Sequence, residues 1–477
     1  MSTLSIVGIG ISIFTLTCPN ISKTILLYIL LLFAVFVGWG ISKATRDRFL
    51  IVIFALALPY LTDLNMVYDP TDFHMVSKSY FTFNILHIIC IFILIEILKN
   101  RKKIHFDYDL LIILLFNLIC ILSIFYAVNY KAAFFDYSRY FNLTIIYIYF
   151  SRIFDMDKNS ELLLKYIIIG LVLQLIIGLV QKLIGKPIGL YFLGEGRTVF
   201  RTNVSGYEKG MSGTFGHPGP YAIYALFVLS WLIFNRNIKL KMRVIGIITS
   251  TSIIILAAGR TSIMLMLIVY ICYFLDKFFT FSAKNLVIIL SIILLLFLSY
   301  ILFYNQLQVI INRFTSSDME MQLNSRLIHV DLALLYIKQK PLFGFGLNNY
   351  LDLTHRDFPL SVLSNFFLSN PIHNAYLLYA VEIGIIGMMI FLLFILKGFI
   401  QFFKLIKFKS YYKDTLHEIK GYLVATIVYI IYNFQGWGGI KTKILIMMFL
   451  TSAFIYNNYK LIQLKENSSV EILYDEV

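Results

Sequence analysis

Apolar runs of about 17–20 residues recur along this chain, each long enough to cross the hydrocarbon core of a bilayer as a helix. No other feature limits the fold as much. A backbone that spans lipid must satisfy its own polar groups, so only helices and closed barrels qualify. The runs are continuously apolar rather than alternating, which selects helices. They cover approximately residues 4–18, 24–43, 49–64, 80–98, 109–127, 139–154, 162–182, 219–235, 243–258, 262–276, 285–304, 374–397, 420–434 and 443–459. The expected fold is all-α, a polytopic transmembrane helical bundle of about fourteen spans.

Composition agrees. The chain is 59% hydrophobic and 14% charged, and its mean hydropathy is +0.80, outside the range of soluble globular domains. Lipid-facing helices need no separate aqueous core, so residues 1–477 read as one integral membrane domain. The first run is short, no basic residue precedes it, and Cys18-Pro19-Asn20 is a poor cleavage site, so it reads as a retained span. Cys18, Cys90, Cys120 and Cys272 lie in or beside apolar runs without metal-ligand spacing and read as small core residues.

The net charge of +15 would suit nucleic acid, but its placement argues otherwise. Lys43, Arg46 and Arg48, then Lys99 to Lys103, then Arg236 to Arg243, then Lys277 and Lys284, then Lys397 to Lys420 all fall in connections on one side if each run spans once. By the positive-inside rule that side is cytoplasmic, with both termini, and no nucleic-acid partner is expected. The opposite side collects the unusual segments: 63–78 with Asp63, Asp69 and Asp72, a glycine-rich segment at 185–218, and a large loop at 305–373.

Within that loop, Asn324 or Ser325 can cap a helix running to about Gln339. Leu327, Val330, Leu334 and Ile337 repeat at helical spacing and are expected to form the face that packs on the bundle. Lys340-Pro341 stops the helix, and Gly344 and Gly346 permit a tight turn.

The candidate chemistry gathers on this side. His373, at the mouth of the 374–397 run, is placed to take a proton from a hydroxyl, with Asn374 and Tyr376 beside it for substrate binding. Its plain alternative is a solvated histidine beside a capping asparagine. Glu382 lies about two turns into the same run, where an unpaired carboxylate is costly, and a structural partner is favoured for it over catalysis. Arg260, in Gly259-Arg260-Thr261-Ser262, and Arg326 are cations able to grip a phosphate in forked hydrogen bonds, against the alternatives of a snorkelling and a solvated side chain. Arg201 and Lys209 precede the bend Gly213-Thr214-Phe215-Gly216-His217-Pro218 and are two more candidate anion contacts. His217 is a weaker binding candidate that reads first as a hydrogen-bonding residue. His329 and His355 share the large loop but show no supporting neighbours in sequence. With no HExxH, cysteine cluster or paired carboxylates, neither a metal nor a cofactor is expected.

Taken in order, Ser212-Gly213-Thr214-Phe215-Gly216-His217-Pro218, Gly259-Arg260, Arg326 with Lys340-Pro341-Leu342-Phe343-Gly344-Phe345-Gly346, and His373-Asn374-Ala375-Tyr376-Leu377 with Glu382-Ile383-Gly384 resemble the O-antigen ligase and polymerase superfamily over roughly residues 165–400. The resemblance implies a metal-independent glycosyltransferase of the GT-C class in the bacterial inner membrane. Its donor would be an undecaprenyl-diphosphate-linked glycan on the periplasmic side, met among membrane lipids, with a chain-length regulator as a further partner. By the same resemblance His373 looks like the family's catalytic histidine and Arg260 like a diphosphate-binding arginine. Where the family carries an arginine before Gly-Thr-Phe, this chain has Lys209-Gly210-Met211, and Gly219 follows His217-Pro218 where the family often has asparagine. The leading expectation is a polymerase of lipid-linked repeat units. A ligase that moves finished glycan to lipid A-core is the alternative. A lipid-linked oligosaccharide flippase is the second alternative, disfavoured because the polar residues gather at one face instead of at a midplane.

Overall fold

The computed structural model describes residues 38, 46–60, 64–65, 82–83, 85–190, 193–196, 210–278, 290, 318–358, 370–406 and 412–475. The runs expected at 4–18, 24–43 and 285–304 lie almost wholly outside the described residues.

Among the described residues the protein is all-α apart from a two-residue antiparallel pair, Leu64–Asn65 with Thr82–Phe83. The helices, in order, are α1 (Arg46–Ala57), α2 (Ile85–Lys99), α3 (Tyr108–Phe125), α4 (Tyr130–Arg152), α5 (Met156–Ile184), α6 (Pro218–Phe234) and α7 (Leu240–Leu256). They continue as α8 (Arg260–Phe278), α9 (Asp318–Gln339), α10 (Tyr350–Asp357), α11 (Ala375–Glu382), α12 (Gly384–Leu405), α13 (Lys413–Gln435) and α14 (Thr442–Asp475). Every described run expected to span is helical. By length and composition α3, α5 and α12 can cross a membrane, and α6 is a shorter apolar helix.

Local chemistry sets several ends. Asp107, Asn129 and Asp155 accept backbone N–H groups at the starts of α3, α4 and α5. Gly185, left-handed at φ 71°, closes α5.

The core centres on α6, which is buried at every position from Pro220 to Phe234. It packs against α7, α8, α13 and α14. A helix apolar all round belongs in such a place. Outward faces are apolar as well: α12 exposes Ile385, Met389, Leu393, Leu396, Ile400 and Phe403, a stripe at helical spacing. Such a surface suits lipid and would be a liability in water. One buried cation shows how charge is accommodated inside. Lys397 of α12 is buried against Asp109 of α3 at 2.6 Å, and Gln401 donates to the same carboxylate.

Two expectations change. The run at 374–397 is not one helix: it breaks at Ile383 into α11 and α12. The loop helix does form, but it starts earlier, at Asp318, and its packed face is only partly the expected one: Ile337 packs on the core and Val330 is half-buried. Leu327 and Leu334 are about half exposed, at 53% and 45%, whereas His329, Ala333 and Tyr336 are buried. In a membrane protein, apolar side chains do not mark the inward face, because lipid accepts them as readily as a core does.

Candidate active site

The site grows from three elements. The first is the approach to α11. Asn374 caps that helix, its side-chain oxygen accepting the Tyr376 and Leu377 N–H groups at 3.0 and 3.1 Å. Ile372 is fully buried, so His373 is pinned between an anchored neighbour and a cap, with its ring only partly buried.

The second element is α9, which packs on α11. Residues three and four apart share a helix face, so Arg326, His329, Ala333 and Tyr336 line one side. Ala333 and Tyr336 enter a small core with Phe345, Tyr350, Ile372 and Val381. His329, 2% exposed, lays its ring against that of His373, with centroids 5.7 Å apart and planes 25° from parallel. The Tyr350 ring meets His329 edge-on at 6.5 Å.

Backbone hydrogen bonds from the segment after α9 add to this packing. Where α11 breaks, Val381 and Glu382 have free carbonyls. Phe345 N–H donates to Val381 at 3.0 Å, Gly346 N–H to Glu382 at 2.8 Å, and Ile385 N–H returns to Pro341 at 2.8 Å. The Pro341–Gly346 segment therefore fills the break, as backbone in an apolar setting must be satisfied. Two glycines make it possible. Gly344 is left-handed (φ 66°), and a Cβ there would stand 2.5 Å from the Glu382 backbone; Gly384 (φ 73°) would meet the Leu342 carbonyl at 2.0 Å. The buried Glu382 carboxylate accepts the Tyr350 N–H at the start of α10, which is the structural partnership expected of it.

The third element is the α7–α8 connection. Ala258 is left-handed at φ 51°, unusual for a residue with a side chain. It turns the chain so that Arg260 opens α8. The glycine-rich bend docks alongside. Met211 N–H donates to Leu256 at 3.0 Å, and Gly210 passes so close that a Cβ would lie 1.9 Å from the Ala257 carbonyl oxygen. Thr214 is held by Gln174 in both directions, and Lys443 donates to its carbonyl at 2.8 Å.

Electrostatics link the three elements. Burial, and then the Arg260 guanidinium, hold the Arg326 guanidinium below the usual arginine range. The His373 imidazole falls from 6.5 to about 4, first because burial disfavours its charge, then through His329 and Arg326, with a hydrogen bond to the Pro371 backbone opposing them. Arg326 thus bears on both Arg260 and His373, although the three stand far apart in sequence. The result is a neutral, proton-accepting imidazole under the field of the Arg326 cation. Among the described residues, no three His, Cys, Asp or Glu side chains are grouped to hold a metal.

The other candidates fare differently. Arg201 and Lys209 lie outside the described residues. His217 caps α6, its Nδ1 accepting the Gly219 N–H at 3.0 Å. Tyr376 is buried, donates its hydroxyl to the Ile430 carbonyl at 3.1 Å and packs on Phe434. Asn374 has its oxygen committed to the cap, which leaves its amide N–H groups. All three make structural contacts, and for His217 that is the hydrogen-bonding role the sequence put first. His329 is the residue sequence reasoning passed over. The one signal was its place one helical turn beyond Arg326.

Residues 245–392, from α7 into α12, match the family model described as O-antigen ligase. No curated protein is a match for the chain. Arg260, Arg326, His329 and His373 all fall inside the matched stretch, and over that part of the chain the match supports the O-antigen ligase and polymerase superfamily.

Proposed function

We propose that the protein is a glycosyltransferase that polymerises undecaprenyl-diphosphate-linked oligosaccharide repeat units at the extracytoplasmic face of the bacterial inner membrane. One observation carries the reading: Arg326 stands within electrostatic reach of both Arg260 and His373. Two like charges brought together in partial burial repel one another, and an anion between them relieves the repulsion. A diphosphate is such an anion, and the start of α8 adds its helix dipole to Arg260.

The chemistry follows. The neutral His373 imidazole takes the proton from a sugar hydroxyl of the acceptor. That oxygen bonds to the anomeric carbon of the donor as the bond from that carbon to the diphosphate breaks. The pair of electrons leaves with the diphosphate, whose growing charge Arg260 and Arg326 stabilise. The proton stays on His373 until solvent or product takes it. The arginines supply the charge stabilisation, so the scheme asks for no metal.

The matched description is O-antigen ligase, so transfer of a finished glycan to a lipid A-core acceptor is the second reading. Purified protein in vesicles with a synthetic polyprenyl-diphosphate-linked repeat unit separates the two. Products longer by whole repeats, with release of polyprenyl diphosphate, support the polymerase. Transfer only when lipid A-core is added supports the ligase. Movement of the lipid-linked glycan across the bilayer without a new glycosidic bond would overturn both.

A further inference from the structure

We infer that His329 is a positioning residue for His373, fixing the plane of its imidazole and keeping it in register with Arg326. The inference rests on the proposed role of His373 as base.

The argument starts from a torsion. The terminal torsion of a histidine is broad and roughly two-fold, so the backbone alone does not set the direction of its ring. At His373 the main chain is well anchored, by buried Ile372 on one side and the Asn374 cap on the other. Neither contact fixes the ring plane. Two others do: the ring hydrogen-bonds the Pro371 backbone at one edge, and the face of His329 lies against it at 5.7 Å and 25°, a stack of the kind that flat rings favour. His329 is itself held. It is buried, the edge of Tyr350 closes its other side, and its helix is clamped through Ala333 and Tyr336. Rigid support of this kind is what a proton-accepting group needs, because a displacement of about 1 Å can cost on the order of a hundredfold in rate.

His329 also suits the protonation state. Packed against His373, it disfavours charge on that imidazole, so the base rests neutral. The charged and titratable groups bearing on His373 are His329 and Arg326 of α9, with the Pro371 backbone acting in the opposite sense. Arg326, one turn before His329 on the same face, makes α9 a single bar that holds both the ring and the cation.

The test uses the full-length protein in vesicles or detergent, with histidine carbons labelled for NMR and the His373 signal assigned by its loss in His373→Ala. His329→Ala is expected to raise the titration midpoint of His373 and to lower kcat about tenfold or more with KM nearly unchanged. His329→Phe, which restores a flat ring, is expected to recover most of that kcat. An unchanged midpoint together with unchanged kcat in His329→Ala would overturn the inference. So would a His329→Phe enzyme as inactive as His373→Ala, because His329 would then perform chemistry itself. Where His329→Ala fails to fold, His329→Asn with the same NMR titration decides. Glycan transfer that survives in His373→Ala would instead sink the functional reading, while the titration still reports on the ring pair.

Discussion

Gly346 donates its N–H to the Glu382 carbonyl at 2.8 Å, and through that bond a loop far along the chain from α11 supplies the hydrogen bond that the broken helix lacks. The break, the glycine-rich turn after α9 and the position of His373 are one construction. If the Pro341–Gly346 segment moved, α9 would move with it, carrying Arg326 and His329 away from His373.

Gly344→Ala and Gly384→Ala are therefore expected to destabilise the protein and to weaken activity together. Each places a side chain in left-handed backbone, at about 1–2 kcal/mol. Each also drives a Cβ to within 2.5 or 2.0 Å of backbone that cannot move aside. A thermal melt of the solubilised protein checks this, and a Gly384→Ala variant that melts with wild type would show that the clamp is not needed.

Arg260→Ala and Arg326→Ala are each expected to lower kcat by about 10²–10³, the usual loss when a preorganised donor to developing charge is removed. Because both act on one anion, the double variant should lose less than the two losses multiplied together. Steady-state rates on the synthetic lipid-linked repeat unit measure this. Strictly multiplicative losses would mean that the arginines serve separate groups.

The pH dependence should differ between free and loaded enzyme. In the free enzyme His373 is neutral down to about 4, so kcat/KM should lose its base only as the pH falls through that value. A bound diphosphate offsets the charge of Arg326, which favours the protonated imidazole and raises its pKa. The acid limb of kcat should thus lie at higher pH than that of kcat/KM. The reverse order of the two limbs would exclude the diphosphate from the neighbourhood of His373. The stability sign follows from the depressed value. The unfolded chain takes up the proton near 6.5, the folded one only near 4, so this stability contribution is present above about 6.5 and lost as the pH falls through about 4.

Much of this was legible in the sequence, and the rest was hidden for physical reasons. Continuous apolar runs announced the helices, and the bend at Gly213 to Pro218, Arg260, Arg326 and His373 stood out as polar residues in an apolar chain. The packed face of α9 was half read: Ile337 does pack inward, whereas Leu327 and Leu334 look like core residues, and membrane helices turn such residues to lipid. The break at Ile383 was hidden because a single glycine in an apolar run announces neither its left-handed backbone nor its contact with Leu342. His329 was passed over because its partner ring arrives from another element. His217 and Asn374 cap helices and Tyr376 hydrogen-bonds the Ile430 carbonyl, and such roles use the same side-chain atoms as a ligand contact would.

The Asn374 cap gives the last test. Serine also caps helices well, and alanine does not, at a cost of about 1 kcal/mol. If Asn374 acts by holding the start of α11, and with it the backbone of His373, Asn374→Ser should keep most of the stability and most of the transfer rate, and Asn374→Ala should lose some of both. Melting temperature and kcat, measured side by side, separate the cases. An Asn374→Ser enzyme that melts normally but transfers glycan as poorly as Asn374→Ala would mean that the amide N–H groups of Asn374 touch substrate. The cap would then be only half of what the residue does.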